Sequence, residues 1–249
     1  MLASLLFLAC SENVLIEKLN LEPNIQVFPS VIKFDDAKVL DNETSHETFW
    51  IINSGTDTLS VYLEEDSEVF SFDEYNFDIE PQEEIEVDAY FTPNYYFDYN
   101  YFASIESNDP DEPIVMINLK GLGLSPGIKV NAFIHNFETN IGCESLKEFT
   151  VENIGNDILI IDNILNYESA LSDISIDVDI ANNGDFPWFI EPSDYAMFYG
   201  KHSPIDRVDD YNKILIPHND PYVVDDKEIE IFGTGLLLDH ILKNLNHLK

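Results

Sequence analysis

The sequence repeats one succession of landmarks at an interval of about one hundred residues, and this repeat limits the possible folds more than any other feature. Each copy has a strand-like segment that runs into Asn-x-Gly-x-x-x-Leu, at residues 53–59 and 153–159. An Asn-Asp-Pro turn and then a closing Gly-x-Gly follow in both copies, at 108–110 and 121–123, and at 219–221 and 233–235. The repeat predicts two domains of the same fold in tandem.

Short segments of alternating apolar residues predict β-strands between these landmarks. The segment 85–91 (IEVDAYF) alternates over its whole length, which is typical of a strand with one buried and one exposed face. Turn residues separate such segments every eight to twelve residues or so. The pattern predicts an all-β protein made of two tandem immunoglobulin-like antiparallel sandwiches.

Several motifs of the first copy together resemble a known family. They are Asn53-x-Gly55-x-x-x-Leu59, a strand that ends in Phe91-Thr92-Pro93, Ser107-Asn108-Asp109-Pro110, and the final Gly121-x-Gly123. This combination resembles the abnormal-spindle and hydin (ASH) type of immunoglobulin-like domain, and it is similar to bacterial choice-of-anchor D proteins. The resemblance implies a sandwich related to the major sperm protein fold. In the second copy, Met197-Phe198-Tyr199-Gly200 stands at the predicted place of Phe91-Thr92-Pro93.

The residue offset between the copies predicts the domain boundaries and the insertions. Gly155 follows Gly55 by 100 residues, whereas Gly235 follows Gly123 by 112, so about twelve residues are added in the second copy. Polar, turn-rich stretches place the added residues at 182–187 and 201–210. The predicted segments are a signal at 1–9, a linker at 10–24, domain 1 at 25–124, domain 2 at 125–235, and a tail at 236–249. The tail is predicted to be a short helix, which packs on domain 2 or docks to another protein.

The amino terminus resembles a bacterial lipoprotein signal. An uncharged apolar run ends in Ala9-Cys10, and the polar Ser11-Glu12-Asn13 follows. This resemblance implies that Cys10 is acylated and becomes the first residue of an extracytoplasmic, membrane-anchored chain. Cys143, the second of two cysteines, then has no disulfide partner. The alternative is that residues 1–9 form an apolar strand of the first domain.

The charge excludes several classes of partner. With 12 basic and 48 acidic residues, the formal net charge is −36. Such a field repels nucleic acids and anionic lipid headgroups, so the sequence predicts no nucleic-acid partner and membrane contact through the N-terminal lipid only. Divalent cations and basic partners would be attracted, although an acidic surface also arises as a solvated exterior.

The sequence predicts no enzymatic site and no cofactor, because nucleophile elbows, phosphate-binding glycine loops and metal-ligating histidine motifs are all missing. One alternative is a catalytic site in the added loops, with Asp177, Asp179, Asp185 and Asp209 as its carboxylates. Asp177, Asp179 and Asp185 are also candidate calcium ligands, because hard cations prefer carboxylate and amide oxygens near a tight glycine turn. The competing interpretation is a strand whose aspartates face water.

The aromatic segment 95–102 contains the candidate partner-binding residues Tyr95, Tyr96 and Tyr99, because exposed aromatic rings bind proteins or stack on glycans. The Asn-Asp-Pro turns are interpreted as structural. The sequence therefore predicts a non-enzymatic, lipid-anchored binding or spacer protein with an unidentified protein or glycan partner. The alternative is an intracellular scaffold of the kind in which ASH domains occur in cilia and centrosomes.

Overall fold

The computed structural model describes residues 21–168, 172–178 and 183–237, which form an all-β, immunoglobulin-like fold with twenty β-strands in these ranges. The predicted signal, Cys10 and most of the predicted linker lie outside the described residues. The predicted tail also lies outside them from residue 238 onward, whereas Leu236 is the last residue of a β-strand.

The first sandwich consists of ten strands in two sheets. They are β1 (Ile25–Phe28), β2 (Val31–Lys33), β3 (Ala37–Lys38), β4 (Ser45–Asn53), β5 (Leu59–Glu64), β6 (Phe70–Phe72), β7 (Asn76–Ile79), β8 (Glu84–Phe91), β9 (Asp98–Ser107) and β10 (Ile114–Leu124). One sheet has the order β1-β4-β8-β6, and the other has the order β2-β10-β9-β5-β7 with β3 beside β10. The chain changes sheets between β1, which is antiparallel to β4, and β2, which is parallel to β10.

The second sandwich repeats this arrangement. Its strands are β11 (Ile128–Val130), β12 (Ile134–Asn140), β13 (Ser145–Asn153), β14 (Leu159–Ile161), β15 (Leu165–Glu168), β16 (Ile174–Val178), β17 (Trp188–Ile190), β18 (Tyr195–His202), β19 (Asp210–Ile216) and β20 (Lys227–Leu236). The sheets have the orders β11-β13-β18-β16 and β12-β20-β19-β15, and β14 pairs with β17. The second sandwich thus has two short strands, β14 and β15, where the first sandwich has the single strand β5.

Alternation places every second side chain of each strand in a core. In β5, for example, Leu59, Val61 and Leu63 are buried and the residues between them are exposed. One hydrophobic cluster runs from Ile25 to Leu119, and a second runs from Ile128 to Ile231. Each fully buried leucine or phenylalanine stabilises its sandwich by roughly 1.5–3 kcal/mol.

The sheet registers show where the second copy is longer. Phe49 pairs with Val87 and Phe149 pairs with Phe198, so Phe198 is equivalent to Val87 and follows it by 111 residues. The offset is still 111 at Asp210, which pairs with Gly233 as Tyr99 pairs with Gly121. The predicted insertion at 201–210 is therefore wrong, and the added residues before β18 lie between Ile161 and Trp188.

The same registers correct the predicted alignment of the second copy. Phe91-Thr92-Pro93 is equivalent to His202-Ser203-Pro204, not to residues 197–200. In both copies the proline lies against a glycine of the last strand: a Cβ on Gly123 would lie 2.9 Å from Cβ of Pro93, and one on Gly235 would lie 3.2 Å from Cβ of Pro204. Sequence comparison missed this match because a histidine replaces the phenylalanine.

A buried asparagine fixes the turn after the second long strand of each copy. The Nδ2 of Asn53 donates to the carbonyl oxygens of Asp57 and Ile79 at 2.8 and 2.9 Å, and its Oδ1 accepts from the Gly55 N–H. Asn153 repeats these contacts with Asp157, Ile190 and Gly155. The Asn-x-Gly motif is thus a structural clamp that joins a loop to two strands.

The Asn-Asp-Pro turns have a structural role. The Oδ2 of Asp109 accepts the N–H of Ile25 at 2.8 Å, and the Oδ2 of Asp220 accepts the N–H of Ile128 at 2.9 Å. Each carboxylate therefore holds the beginning of the first strand of its own sandwich, 84 or 92 residues away in sequence.

The segment that joins the sandwiches is short and buried. Residues 125–127 are buried, and the Asn156 Nδ2 donates to the Gly123 carbonyl oxygen at 2.8 Å. In the first sandwich, the carbonyl oxygens of Glu22 and Asn24 accept hydrogen bonds from the N–H groups of Thr56 and Ser54. Glu22 and Asn24, predicted as linker, are therefore hydrogen-bonded to the first sandwich.

Candidate functional site

The structure describes three of the four aspartates predicted as calcium ligands or catalytic carboxylates. Asp177 is exposed on β16 and Asp185 is exposed in the turn before β17, while Asp179 lies outside the described part of the chain. The Oδ1 of exposed Asp209 accepts a hydrogen bond from Thr234 Oγ1. Within residues 21–168, 172–178 and 183–237, no group of three or more His, Cys, Asp or Glu side chains could hold a metal ion.

The predicted aromatic residues lie mostly at the joint between the sandwiches. Tyr95 and Tyr96 stack with centroids 4.5 Å apart, and the Tyr95 ring lies 4.7 Å from that of Tyr222 in the second sandwich. Burial raises the pKa of Tyr222 to about 12. The prediction that Tyr99 binds a partner is wrong, because the Tyr99 ring is buried in the core against Phe91.

A buried polar cluster lies in the second sandwich. The Nε2 of His202 is 3.0 Å from Asp210 Oδ2, and its Nδ1 is 3.0 Å from Thr139 Oγ1. This order of groups resembles a proton relay, but all three side chains are buried and the hydroxyl group is closed to a substrate. The cluster is therefore a structural network.

A concavity of about 230 Å³ beside this cluster is also structural. Its carboxylates accept backbone hydrogen bonds: Asp173 from the Ile205 N–H, Asp206 from the Val208 N–H, and Asp210 from the Asp173 N–H. These oxygens hold the loop between β18 and β19 in place.

One outer sheet surface of the first sandwich is apolar. We call it the outer apolar face, and it consists of Val31 on β2, Tyr62 on β5, Phe102 on β9, and Ile114 and Met116 on β10. These side chains are 45 to 60% exposed, whereas their neighbours Ile32, Ala103 and Ile117 point into the core. Large apolar side chains grouped on a surface mark interaction sites, whereas single ones are ordinary.

The sheet register places these apolar side chains on one surface, where Asn118, Ser104 and Glu106 lie between them. Val31 and Phe102 both pair with Asn118, which places them on the two sides of β10. Tyr62 and Ile114 both pair with Glu106. Adjacent strands lie about 4.8 Å apart, so the five side chains form one surface across four strands.

Two shallow concavities and several carboxylates border the apolar side chains. One concavity of about 470 Å³ lies beside Tyr62 and is lined also by Asp78 and Glu106. The other, of about 260 Å³, is lined by Glu64, Phe102 and Met116, among others. The face thus combines apolar contact area with negative charge.

Two positions of the equivalent surface of the second sandwich have different chemistry, although Ile134, Tyr167 and Tyr211 are exposed there too. Register places Lys213 at the position of Phe102 and Glu228 at the position of Met116. Lys213 Nζ and Glu228 Oε1 form an ion pair at 2.6 Å. One sandwich therefore carries a solvated ion pair where the other exposes two large apolar side chains.

Sequence reasoning missed this face, although a signal for it exists. A strand with one exposed face should carry polar residues at its outward positions, but two outward positions of β10, Ile114 and Met116, are apolar. Apolar residues also occupy the inward positions of this strand, so the sequence alone does not show which of them are exposed.

Comparison with solved structures found proteins of similar fold. No protein-family model and no curated protein matches this sequence. The structure is similar to a protein of unknown function from Porphyromonas gingivalis W83, with 12% identity, TM-score 0.36, and coverage of 84% of this chain and 99% of that chain. It is also similar to ASH / PapD-like domain 7 of human CEP192, with 18% identity, TM-score 0.37, and coverage of 47% and 97%. The class 5 fimbriae chaperone CfaA matches with 11% identity, TM-score 0.33, and coverage of 86% and 100%.

Within the described ranges, no helix has the length and apolar character that crossing a bilayer requires.

Proposed function

We propose that this protein is a non-enzymatic binding and spacer protein, tethered outside the cytoplasm through acylated Cys10, that captures a protein partner with the outer apolar face. The observation that carries the proposal is the exposure of five large apolar side chains on four adjacent strands. Burying such side chains against a partner removes apolar area from water, which stabilises the complex by about 25 cal/mol per Å² before the costs of association.

The second sandwich supports this interpretation as an internal comparison. It has the same fold, but the positions equivalent to Phe102 and Met116 hold the Lys213–Glu228 ion pair. Exposure of Phe102 and Met116 is therefore not a requirement of the fold, and a binding role accounts for it.

The test uses a pair of residues that the chain already tolerates at equivalent positions. The double variant Phe102→Lys, Met116→Glu copies the ion pair of the second sandwich and leaves the net charge unchanged. A photo-crosslinking amino acid in place of Ser104, which lies beside Met116 on the face, would report the partner in cells that produce the full chain.

We expect a crosslinked protein that is lost in the double variant. The control Phe189→Lys, Ile205→Glu introduces the same side chains at two exposed positions elsewhere. Equal crosslinking by the face variant and the control would refute the binding role of the face.

The tether is tested by the mass of the mature chain. The apolar run that ends at Cys10 supports a chain that begins with an acylated cysteine. A mature chain that retains Met1 and lacks a lipid would favour the intracellular scaffold instead.

A further inference from the structure

We infer that the occupant of the outer apolar face is a cationic protein segment that carries large apolar residues and lysine or arginine on the same side. This inference rests on the proposed function, since it specifies the partner of the same face. Its first basis is the position of two carboxylates among the apolar side chains. Glu106 lies between Ile114 and Tyr62, and Glu64 lies beside Ser104, which in turn pairs with Met116.

The second basis is that these carboxylates are unpaired. Among the described residues, the side chains of Glu64 and Glu106 make no hydrogen bond or ion pair. On the equivalent surface of the second sandwich, Glu228 pairs with Lys213, and Glu230 accepts a hydrogen bond from the Tyr211 hydroxyl at 3.1 Å. Glu64 and Glu106 are thus available to a partner, whereas Glu228 and Glu230 already have one.

The third basis is the charge surrounding the face. Glu65, Asp66 and Asp78 border the two concavities. Lys33 and Lys120 are paired in the sheet register, and they lie at the other end of this surface, beyond Val31. The whole chain carries −36, so an acidic partner would be repelled during approach and a basic partner would be attracted. Lysine or arginine beside an apolar contact would therefore meet a carboxylate about one strand spacing away.

A set of three synthetic peptides tests the inference on the full chain. The first repeats Leu-Leu-Lys-Lys, the second repeats Ser-Ser-Lys-Lys, and the third repeats Leu-Leu-Glu-Glu, so that each side of an extended peptide carries both residue types. We expect the first to bind most tightly in a fluorescence-anisotropy titration and the third not to bind. We expect the second to bind about a hundredfold more weakly than the first, because it lacks the apolar contacts.

Variants then separate the face from the general acidity of the chain. Glu64→Gln with Glu106→Gln should weaken binding of the leucine-lysine peptide about fivefold to tenfold. Glu84→Gln with Glu86→Gln removes the same charge from exposed positions of β8, on the other sheet, and should change binding less than about twofold. Equal weakening by both pairs would show unspecific attraction and overturn the inference.

Two further results would overturn it while leaving the binding role of the face intact. One is equally tight binding of the leucine-glutamate peptide that Phe102→Lys, Met116→Glu abolishes, which would show an apolar site without charge preference. The other is self-association of the chain in sedimentation experiments that the same double variant abolishes, which would make a second copy the occupant. If Phe102→Lys, Met116→Glu did not change binding at all, the proposed function itself would be refuted.

Discussion

His202 in the second sandwich occupies the position of Phe91 in the first, and its partner Asp210 occupies the position of Tyr99. The rings of Phe91 and Tyr99 lie 5.4 Å apart, whereas His202 Nε2 and Asp210 Oδ2 are 3.0 Å apart. A glycine lies against the ring in both copies: a Cβ on Gly121 would lie 2.5 Å from Phe91, and one on Gly233 would lie 2.6 Å from His202. The same backbone site thus accepts an aromatic pair or a polar pair.

This equivalence predicts a rescue. His202→Phe should destabilise the protein by about 3 kcal/mol, because it leaves the buried Asp210 carboxylate without its partner. The double variant His202→Phe, Asp210→Tyr restores the pair found in the first sandwich and should recover part of that loss, since the Asp173 N–H and the Thr139 hydroxyl still lose their partners. Urea unfolding followed by tryptophan fluorescence measures both. A double variant no more stable than the single one would mean that the two sites are not interchangeable.

The Asn53 clamp leads to a second prediction. Asn53→Ala should lower the free energy of unfolding by about 2–3 kcal/mol, because it leaves the carbonyl oxygens of Asp57 and Ile79 and the Gly55 N–H without their partner. Asn100→Ala is the matched control, since Asn100 is exposed on β9. A loss below 0.5 kcal/mol or so in Asn53→Ala would show that water replaces the clamp.

The alternating pattern was sufficient to predict the sandwiches, because burial of every second residue follows directly from strand geometry. The order of strands within the sheets was not predictable, since contacts such as the one between Asp109 and Ile25 join residues far apart in the chain. The predicted role of Tyr99 failed for the same reason: an aromatic segment does not reveal which ring points inward.

The outer apolar face could not be predicted from the sequence for a different reason. Met116 and Ile114 are typical strand residues, and their outward direction becomes visible only when β10 is set against β9 and β5. The equivalence of Phe91 and His202 could not be recognised in the sequence, because the two side chains differ in chemical character although they occupy the same position of the fold.

Acid stability should depend on Asp109. Burial raises the pKa of this carboxyl, but hydrogen bonds from the N–H groups of Ile25, Asp111 and Glu112 together lower it by more, so that the pKa is held below its usual value. A lowered pKa contributes stability that is complete above the unfolded value and is lost as the pH falls through the folded value. Asp109→Asn should therefore cost about 1–3 kcal/mol at pH 7, and the difference from the native chain should shrink below about pH 4.

The matched control for this measurement is Asp111→Asn, which changes an exposed carboxyl in the same turn. Its unfolding free energy should stay near that of the native chain between pH 3 and pH 7 or so. A variant at Asp109 whose cost stays constant over this range would contradict a role for the ionised carboxylate.

The net charge of −36 predicts that salt stabilises the fold. Screening acts over roughly 10 Å at 0.1 M and reduces repulsion between the exposed carboxylates. The melting temperature should therefore rise with sodium chloride, and calcium and magnesium at matched ionic strength should act alike. A much larger effect of millimolar calcium, abolished by Asp177→Asn with Asp185→Asn, would reveal the calcium site that the sequence suggested. A melting temperature indifferent to all three salts would refute the repulsion argument.

The separation of the two hydrophobic cores predicts that the first sandwich folds alone. The first core draws on residues 25–119 and the second begins at Ile128, so a fragment that ends at residue 124 keeps the first core complete. The fragment should begin at residue 21, because the Thr56 and Ser54 N–H groups donate to the carbonyl oxygens of Glu22 and Asn24. We expect 21–124 to unfold cooperatively and 25–124 to be less stable by about 1–3 kcal/mol.

Circular dichroism and amide exchange measure both fragments. Lys38 and Tyr95 contact the second sandwich through Asp157 and Tyr222, so the fragment should lose stability chiefly at that end. Exchange should therefore be faster near residues 94–97 than in the complete chain and unchanged at Phe49, which lies in the core. If 21–124 stays unfolded, the joint is part of a shared core, and the two sandwiches form one cooperative unit.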